Sequence, residues 1–516
     1  MIIDAHIHPS PEDVADGGAR LLAALDAAGI DLAVASDLGD WSDFPASAVV
    51  REANRRMRAM AARHAPRLRY LVYLNPLLPD WEAELAEHAK TAIGVKLWIS
   101  LRDKKGSLAP ARAALARVSA LGLPALLHVY HRTGGPRPGE IDLDDFDALC
   151  REFPECAMIG AHAGGNWREA LGRLRGLPAN KYYDISGGYP ERGMVERLVG
   201  GIGAERILFG SDASARSFAS QLAKVAHANL LPEDRELILW RNACRVFRLE
   251  DAPLQAAARR RAGAAVRASA RFPWPAWGED HFCFCGRWPL ADIAIEPGEL
   301  AAELAGHGVR RGFAANLADM LQTDLPRRNR DFAAACRAHP EIVPLASVDP
   351  RRREALTQLD AMDGFAGVWL SPYLHNYAVD DPALAPFWRR CSELGVAAWI
   401  NTSLSDWRFR SPSLAARPVP AAELENFLRG APENDYTIQA WPGLADACGW
   451  GGAGRRRFEL SRLSDSEYAA ENFFSGRDGS ALVWGSEYPF RDFPQVRDCL
   501  WGKNHDGIER VLPGKT

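Results

Sequence analysis

Cysteine is scarce in this chain of 516 residues. Nine are present, Cys150, Cys156, Cys244, Cys283, Cys285, Cys336, Cys391, Cys448 and Cys499, an odd number without regular pairing. This argues against a disulfide framework and leads us to expect reduced thiols in a cytoplasm. Cys283 and Cys285 form the one close pair, and their spacing lacks the Cys-x-x-Cys of a structural zinc site. No run of about 18 apolar residues escapes a charge or a proline, which excludes a membrane-spanning helix. A basic leader with a cleavage site is also missing, because the first residues already read as a strand. Neither sign of charge dominates: 62 Lys and Arg face 66 Asp and Glu, a net charge of -4. That leaves no electrostatic case for nucleic acid or an anionic membrane, and the expected partner is a small molecule.

What is present is a globular composition, 47% hydrophobic and 25% charged, on a chain too long for one core. In the first half, short apolar runs alternate with amphipathic stretches. The runs are Met1–His6, Leu32–Ser36, Tyr70–Asn75, Gly94–Ser100, Ala125–Tyr130, Met158–His162, Tyr182–Ser186 and Arg206–Gly210. Helical patterns such as Ala19–Ala28, Ala48–Arg63 and Pro110–Leu121 lie between them. Eight strands alternating with helices predict a (β/α)8 barrel of the TIM type.

After Phe247 come Arg259-Arg260-Arg261 and Phe272-Pro273-Trp274-Pro275, which read as a linker. The pattern then starts again. Gly94-Val95-Lys96-Leu97-Trp98 returns as Gly367-Val368-Trp369-Leu370-Ser371, and Gly210-Ser211-Asp212 as Gly485-Ser486-Glu487. Five such landmarks keep their order at offsets of 273 to 279 residues. We therefore expect an α/β protein of two tandem (β/α)8 domains, 1–250 and 276–516, joined by a linker at 251–275.

Barrel enzymes keep their chemistry at the C-terminal ends of strands. In the first half those positions carry His6 and His8, Lys96, His128, His162 and Asp212. Neutral imidazoles and a carboxylate are donors for zinc, manganese or iron. The sequences Ile3-Asp4-Ala5-His6-Ile7-His8-Pro9, Gly122-Leu123-Pro124-Ala125-Leu126-Leu127-His128, Gly160-Ala161-His162-Ala163-Gly164-Gly165 and Ile207-Leu208-Phe209-Gly210-Ser211-Asp212 carry a resemblance. Together with Asn242-Ala243-Cys244-Arg245-Val246-Phe247, they are similar to the amidohydrolase superfamily, in its amidohydrolase-related branch of metal-dependent hydrolases and non-oxidative decarboxylases. The resemblance implies that His6, His8, His128 and Asp212 hold one divalent metal, zinc. It implies that His162, with Asp212, manages protons as a catalytic group. For Lys96 two roles stay open, a second-metal ligand or a contact to substrate.

Loops after these strands carry Arg102, His131, Arg132 and Arg216, cations suited to a substrate carboxylate. The second half holds Cys285, Arg287, Trp369, Asn401, Trp441 and Glu487 where the first has His6, His8, Lys96, His128, His162 and Asp212. Arginine and tryptophan offer no lone pair to a metal. The second barrel is therefore read as a degenerate copy that packs against the first, with a homodimer as a further expectation. The leading function is hydrolysis of an ester, lactone or amide. Non-oxidative decarboxylation and non-catalytic binding stand as alternatives.

Overall fold

The computed structural model describes residues 1–249 other than 189, and between 278 and 501 all but 290–292, 405–416, 418, 440–455, 461 and 463–481. These residues fall into two compact units, one in each half of the chain. The 251–275 linker lies outside the described residues.

The first unit is a TIM barrel. Strands β1 (Ile3–Ile7), β2 (Leu32–Ala35), β3 (Leu68–Leu74), β4 (Gly94–Leu97), β5 (Ala125–Leu127), β6 (Met158–Gly160), β7 (Lys181–Asp184) and β8 (Ile207–Leu208) pair in chain order, all parallel. Closure comes from backbone bonds between β1 and the segment after β8. Ala5 N donates to Phe209 O (3.0 Å), Asp212 N to His6 O (2.8 Å) and His8 N to Ala213 O (2.5 Å).

Strands buried on both faces read as continuous apolar runs, which is why Leu-Ala-Val-Ala and Ala-Leu-Leu suffice for β2 and β5. The helices cover them with apolar stripes. Helix Ser47–Arg63 buries Val50, Ala53, Met57, Met60 and Ala61 at helical spacing. Each such side chain contributes about 1.5–3 kcal/mol if large.

Strands β6 and β8 end earlier than the apolar runs suggest, because the backbone turns after them. His162 lies beyond β6 in a tight turn, Ala161–Gly164, at φ 60°. Asp212 lies beyond β8 at φ 61°. Both are left-handed backbone positions that a strand cannot contain.

The second unit repeats this architecture. Strands β9 (Glu279–Trp288), β11 (Arg311–Asn316), β12 (Ile342–Ser347), β13 (Gly367–Leu370), β14 (Ala397–Ile400), β15 (Tyr436–Gln439), β16 (Arg456–Glu459) and β17 (Leu482–Val483) are parallel neighbours. A short β10 (Ile293–Ile295) pairs antiparallel with the end of β9. His281 N to Trp484 O (2.9 Å), Glu487 N to Phe282 O (2.7 Å) and Phe284 N to Tyr488 O (2.9 Å) close the ring.

Shared details reach single hydrogen bonds. Asp4 Oδ1 accepts from His6 N (3.1 Å) and Ser211 N (3.0 Å), and Asp280 Oδ1 accepts from Phe282 N (3.0 Å) and Ser486 N (3.0 Å). Asn54 brackets Tyr73 by donating to its carbonyl and accepting from its N–H, and Asn329 does the same for Ser347. His128 N donates to Leu97 O as Asn401 N does to Leu370 O, each at 2.8 Å.

These bonds correct the sequence pairing at strand one. Phe282 and Phe284, not Cys285 and Arg287, stand where the first barrel has His6 and His8. Strand β9 runs three to four residues past that level to pair with β10, so Cys285 and Arg287 belong to the extension. Arg287 is exposed. Trp369 takes the place of Lys96, Asn401 that of His128 and Glu487 that of Asp212; Trp441 lies outside the described residues.

Candidate metal centre

Four of the nominated side chains meet at the C-terminal mouth of the first barrel. His6 and His8 alternate with Ile7 on β1, so their rings share one side of the strand. His6 Nε2 and His8 Nε2 lie 3.1 Å apart. Asp212 Oδ1 stands 4.0 Å from the first and 3.8 Å from the second. Lys96 Nζ, projecting from β4, is 2.8 Å from His6 Nε2.

The hydrogen bonds around the rings assign their tautomers. His8 Nδ1 is 2.8 Å from Ser36 O, a pure acceptor, so Nδ1 carries the proton and Nε2 the lone pair. His6 Nδ1 faces Asp184 Oδ2 at 2.9 Å, with the same result. Ser186 Oγ gives its one proton to Asp184 Oδ1 and therefore accepts from His6 Nδ1 (3.0 Å) and His162 Nδ1 (2.9 Å).

Electrostatics favour neutral rings. Burial pushes His6 and His8 well below the ordinary imidazole value, and the Lys96 charge adds to it. Burial also brings Lys96 down to about 8, against the pull of Asp212 and Asp184. Two lone pairs facing each other at 3.1 Å with a carboxylate oxygen beside them form a donor set for a cation. A divalent ion fits these residues by charge and by donor type. A second grouping, His6, His162 and Asp184, shares His6 with the first.

His162 sits just behind this cluster, its ring 5.2 Å from His6 and 5.3 Å from His128. Its N–H donates to Asp184 Oδ1 (2.9 Å), which holds the left-handed turn in place. Burial lowers its pKa well below the ordinary value, followed by the His6 and His128 charges.

His128 is turned another way. Its Nε2 bonds Glu140 Oε1 at 2.9 Å and its ring stacks on Tyr130, so it stands outside both donor groups. Glu140 is drawn down to about 2: burial opposes the charge, and hydrogen bonds from His128 and Arg132 overcome it.

Two of the rim cations are paired within the barrel. Arg132 is bidentate on Glu140 and lies over the Tyr130 ring, while Arg102 grips Asp145. Both guanidiniums are consumed by internal carboxylates. His131 is tied by its backbone to Gly164 O (2.7 Å) and Arg216 by its backbone to Asp212 O (3.1 Å). Aromatic residues near the mouth include Tyr130, 6.0 Å from His162, Trp41, 5.4 Å from His8 in a T-shaped arrangement, and Trp98, 6.0 Å from Trp41.

Sequence reasoning passed over Asp184, Ser186, Ser36 and Glu140. The first three fix the histidine tautomers, as outer partners of metal ligands commonly do. Asp184 and Ser186 end a strand, and that position was the available signal.

The second barrel replaces this cluster with a closed one. Phe282 and Phe284 pack edge-on against Trp369 at 5.0 and 5.2 Å. Glu487 Oε1 accepts from Gln439 Nε2 (2.5 Å) and Arg462 Nε (2.7 Å), and Arg491 Nε lies 3.2 Å from Oε2. Among the described residues, aromatic carbon and guanidinium leave no donor pair like that of the first barrel.

Residues 3–249 match the family described as Amidohydro_2, amidohydrolase. A comparison with curated proteins finds no match. Solved structures of similar fold include 5-carboxyvanillate decarboxylase from Sphingomonas paucimobilis, at 15% identity and TM-score 0.39, covering 48% of this chain and 99% of that one. A 4-oxalomesaconate hydratase from Rhodopseudomonas palustris shows 18% identity and TM-score 0.40, with 50% and 99% covered. A dihydroxybenzoic acid decarboxylase from Polaromonas sp. JS666, solved with manganese and 2-nitroresorcinol, shows 18% identity and TM-score 0.38, with 49% and 98% covered.

Proposed function

The first barrel, residues 3–249, belongs to the amidohydrolase family, and from that premise we propose that it is a divalent-metal-dependent hydrolase of a small carboxylate-bearing substrate. One observation carries the reading. Two imidazole lone pairs and the Asp212 carboxylate converge within 4.0 Å at the mouth, beside a buried lysine.

His6, His8 and Asp212 would hold the ion, zinc by donor type. When bound, such an ion supplies Lewis acidity to a reacting carbonyl. His162 keeps a proton on Nδ1 through Ser186, which leaves Nε2 as the atom that accepts and returns a proton. Lys96 is the cation placed to meet a substrate carboxylate, now that Arg102 and Arg132 are paired.

A second reading, non-oxidative decarboxylation, is favoured by Trp41 beside His8 and Trp98 behind it, aromatic surfaces that suit a planar acid. The test is metal analysis together with product analysis on a panel of esters, lactones, amides and aromatic carboxylates. Acid release without carbon dioxide supports the hydrolase, and carbon dioxide release supports the second reading. Bound metal with neither product across the panel would overturn both and leave a binding protein.

A further inference from the structure

The mouth of the first barrel is braced from behind by a side chain that lies outside the donor cluster. Lys224, on helix Phe218–Ala226, is 1% exposed. Its Nζ donates to Ile185 O (2.9 Å), Gly187 O (2.6 Å) and Gln221 Oε1 (2.6 Å). Gln221 Nε2 in turn donates to Gly188 O (3.1 Å). The two carbonyls held by Lys224 flank Ser186, the residue whose hydroxyl accepts from both His6 and His162.

The same loop touches His162 directly. Gly187 stands at φ 65°, and a Cβ there would lie 2.7 Å from His162 Nδ1. The distance between loop and imidazole is thus set by where the loop is pinned. An ammonium suits the task because its three donors meet three acceptors around one point, which a planar guanidinium cannot do.

The second barrel serves as an internal control. Its matching helix, Phe493–Trp501, also has nine residues and also starts on phenylalanine, at the same offset that relates Asp212 to Glu487. At the positions of Gln221 and Lys224 it carries Val496 and Cys499. A brace needed for the frame alone would be expected in both copies, as the Asp4 and Asp280 bonds are. We infer that Lys224, with Gln221, is a positioning residue for the His6–Ser186–His162 array, acting through the loop 185–188. The inference rests on the metal reading of the site for one of its two measurements.

The experiment uses the full chain and two readouts. Amide hydrogen exchange of residues 185–188 is measured on metal-free protein, and zinc affinity by competition with a chromophoric chelator. Lys224→Met should deprotect the loop and weaken zinc by about 10-fold or more, the range for lost outer partners of metal ligands. Lys224→Arg should restore only part of each. Where the Met variant fails to fold, Gln221→Val asks the same question by cutting the Gly188 contact. Wild-type protection and zinc affinity in the folded variants overturn the inference, as does a lower Tm with both local readouts unchanged. If the wild type binds no zinc, the metal reading falls, and the exchange measurement alone decides the brace.

Discussion

The two barrels share their frame to the level of single hydrogen bonds and differ at their mouths. Asp4 and Asp280 make the same backbone bonds to strand one and to the turn after the last strand. Two residues on, one barrel has His6 and the other Phe282. The comparison divides the opening Asp-x-His-x-His into parts with different duties. Its aspartate belongs to the frame, and its histidines do not. At the other end of the mouth, Asp212 is left facing two imidazoles, while Glu487 is neutralised by Arg462 and Arg491. In one barrel the carboxylate faces two imidazoles, and in the other it is paired with guanidiniums.

Breaking the internal cation should have one of the two largest effects on stability. Arg462→Met leaves Glu487 buried and half-paired, and should cost about 3–5 kcal/mol by denaturant unfolding. Asp212→Asn, in contrast, should cost less in the metal-free protein, because its side chain is partly exposed and its removal leaves no buried carboxylate half-paired. Equal losses would break the comparison. Next come the shared bonds. Asp4→Ala and Asp280→Ala each orphan two buried backbone donors, at about 1–3 kcal/mol for each donor left unpaired, and should cost similar amounts. A loss confined to one of them would show that the frames are not alike.

Smaller still is the effect of pH. His6, His8 and His162 are held neutral by burial, with folded values depressed below 6.5. The unfolded chain then binds more protons, so stability present above pH 6.5 is lost as pH falls below it. Asp4, raised to about 7 by burial, works in the opposite sense and loses its contribution as pH rises toward 7. His128 and His281 act in the sense of the first three, and Asp280, raised to about 6 by burial, in the sense of Asp4. The imidazoles set the sign, and Tm should fall between pH 7 and 5. Phe282→His with Phe284→His should show the least, no metal gained, because Trp369 and the two arginines still fill the second mouth. An added equivalent of zinc would show that the ligand pair alone makes the site.

Strand order was legible because doubly buried strands leave continuous apolar runs. The repeat was legible because Gly94 and Gly367 must both sit close to a neighbouring strand, where a Cβ would meet Pro124 O or Ala397 O. The side-chain partners were not. Asp184 and Ser186 reach His6 across 178 and 180 residues, a separation that no local pattern reports. The turn of His128 onto Glu140 depends on a carboxylate in the following loop, and strand periodicity says nothing about it. The misplacement of Cys285 and Arg287 arose because β9 continues past the mouth, and an extension of that kind leaves no mark in a period of two.

The proposed metal centre is tested most directly by metal stoichiometry of the purified chain after loading with zinc and removal of excess. It predicts one equivalent per chain, lost when His6 and His8 are both replaced by alanine and retained when Glu487 is replaced by glutamine. No bound metal in the wild type, or one equivalent that survives the double alanine substitution, would contradict it.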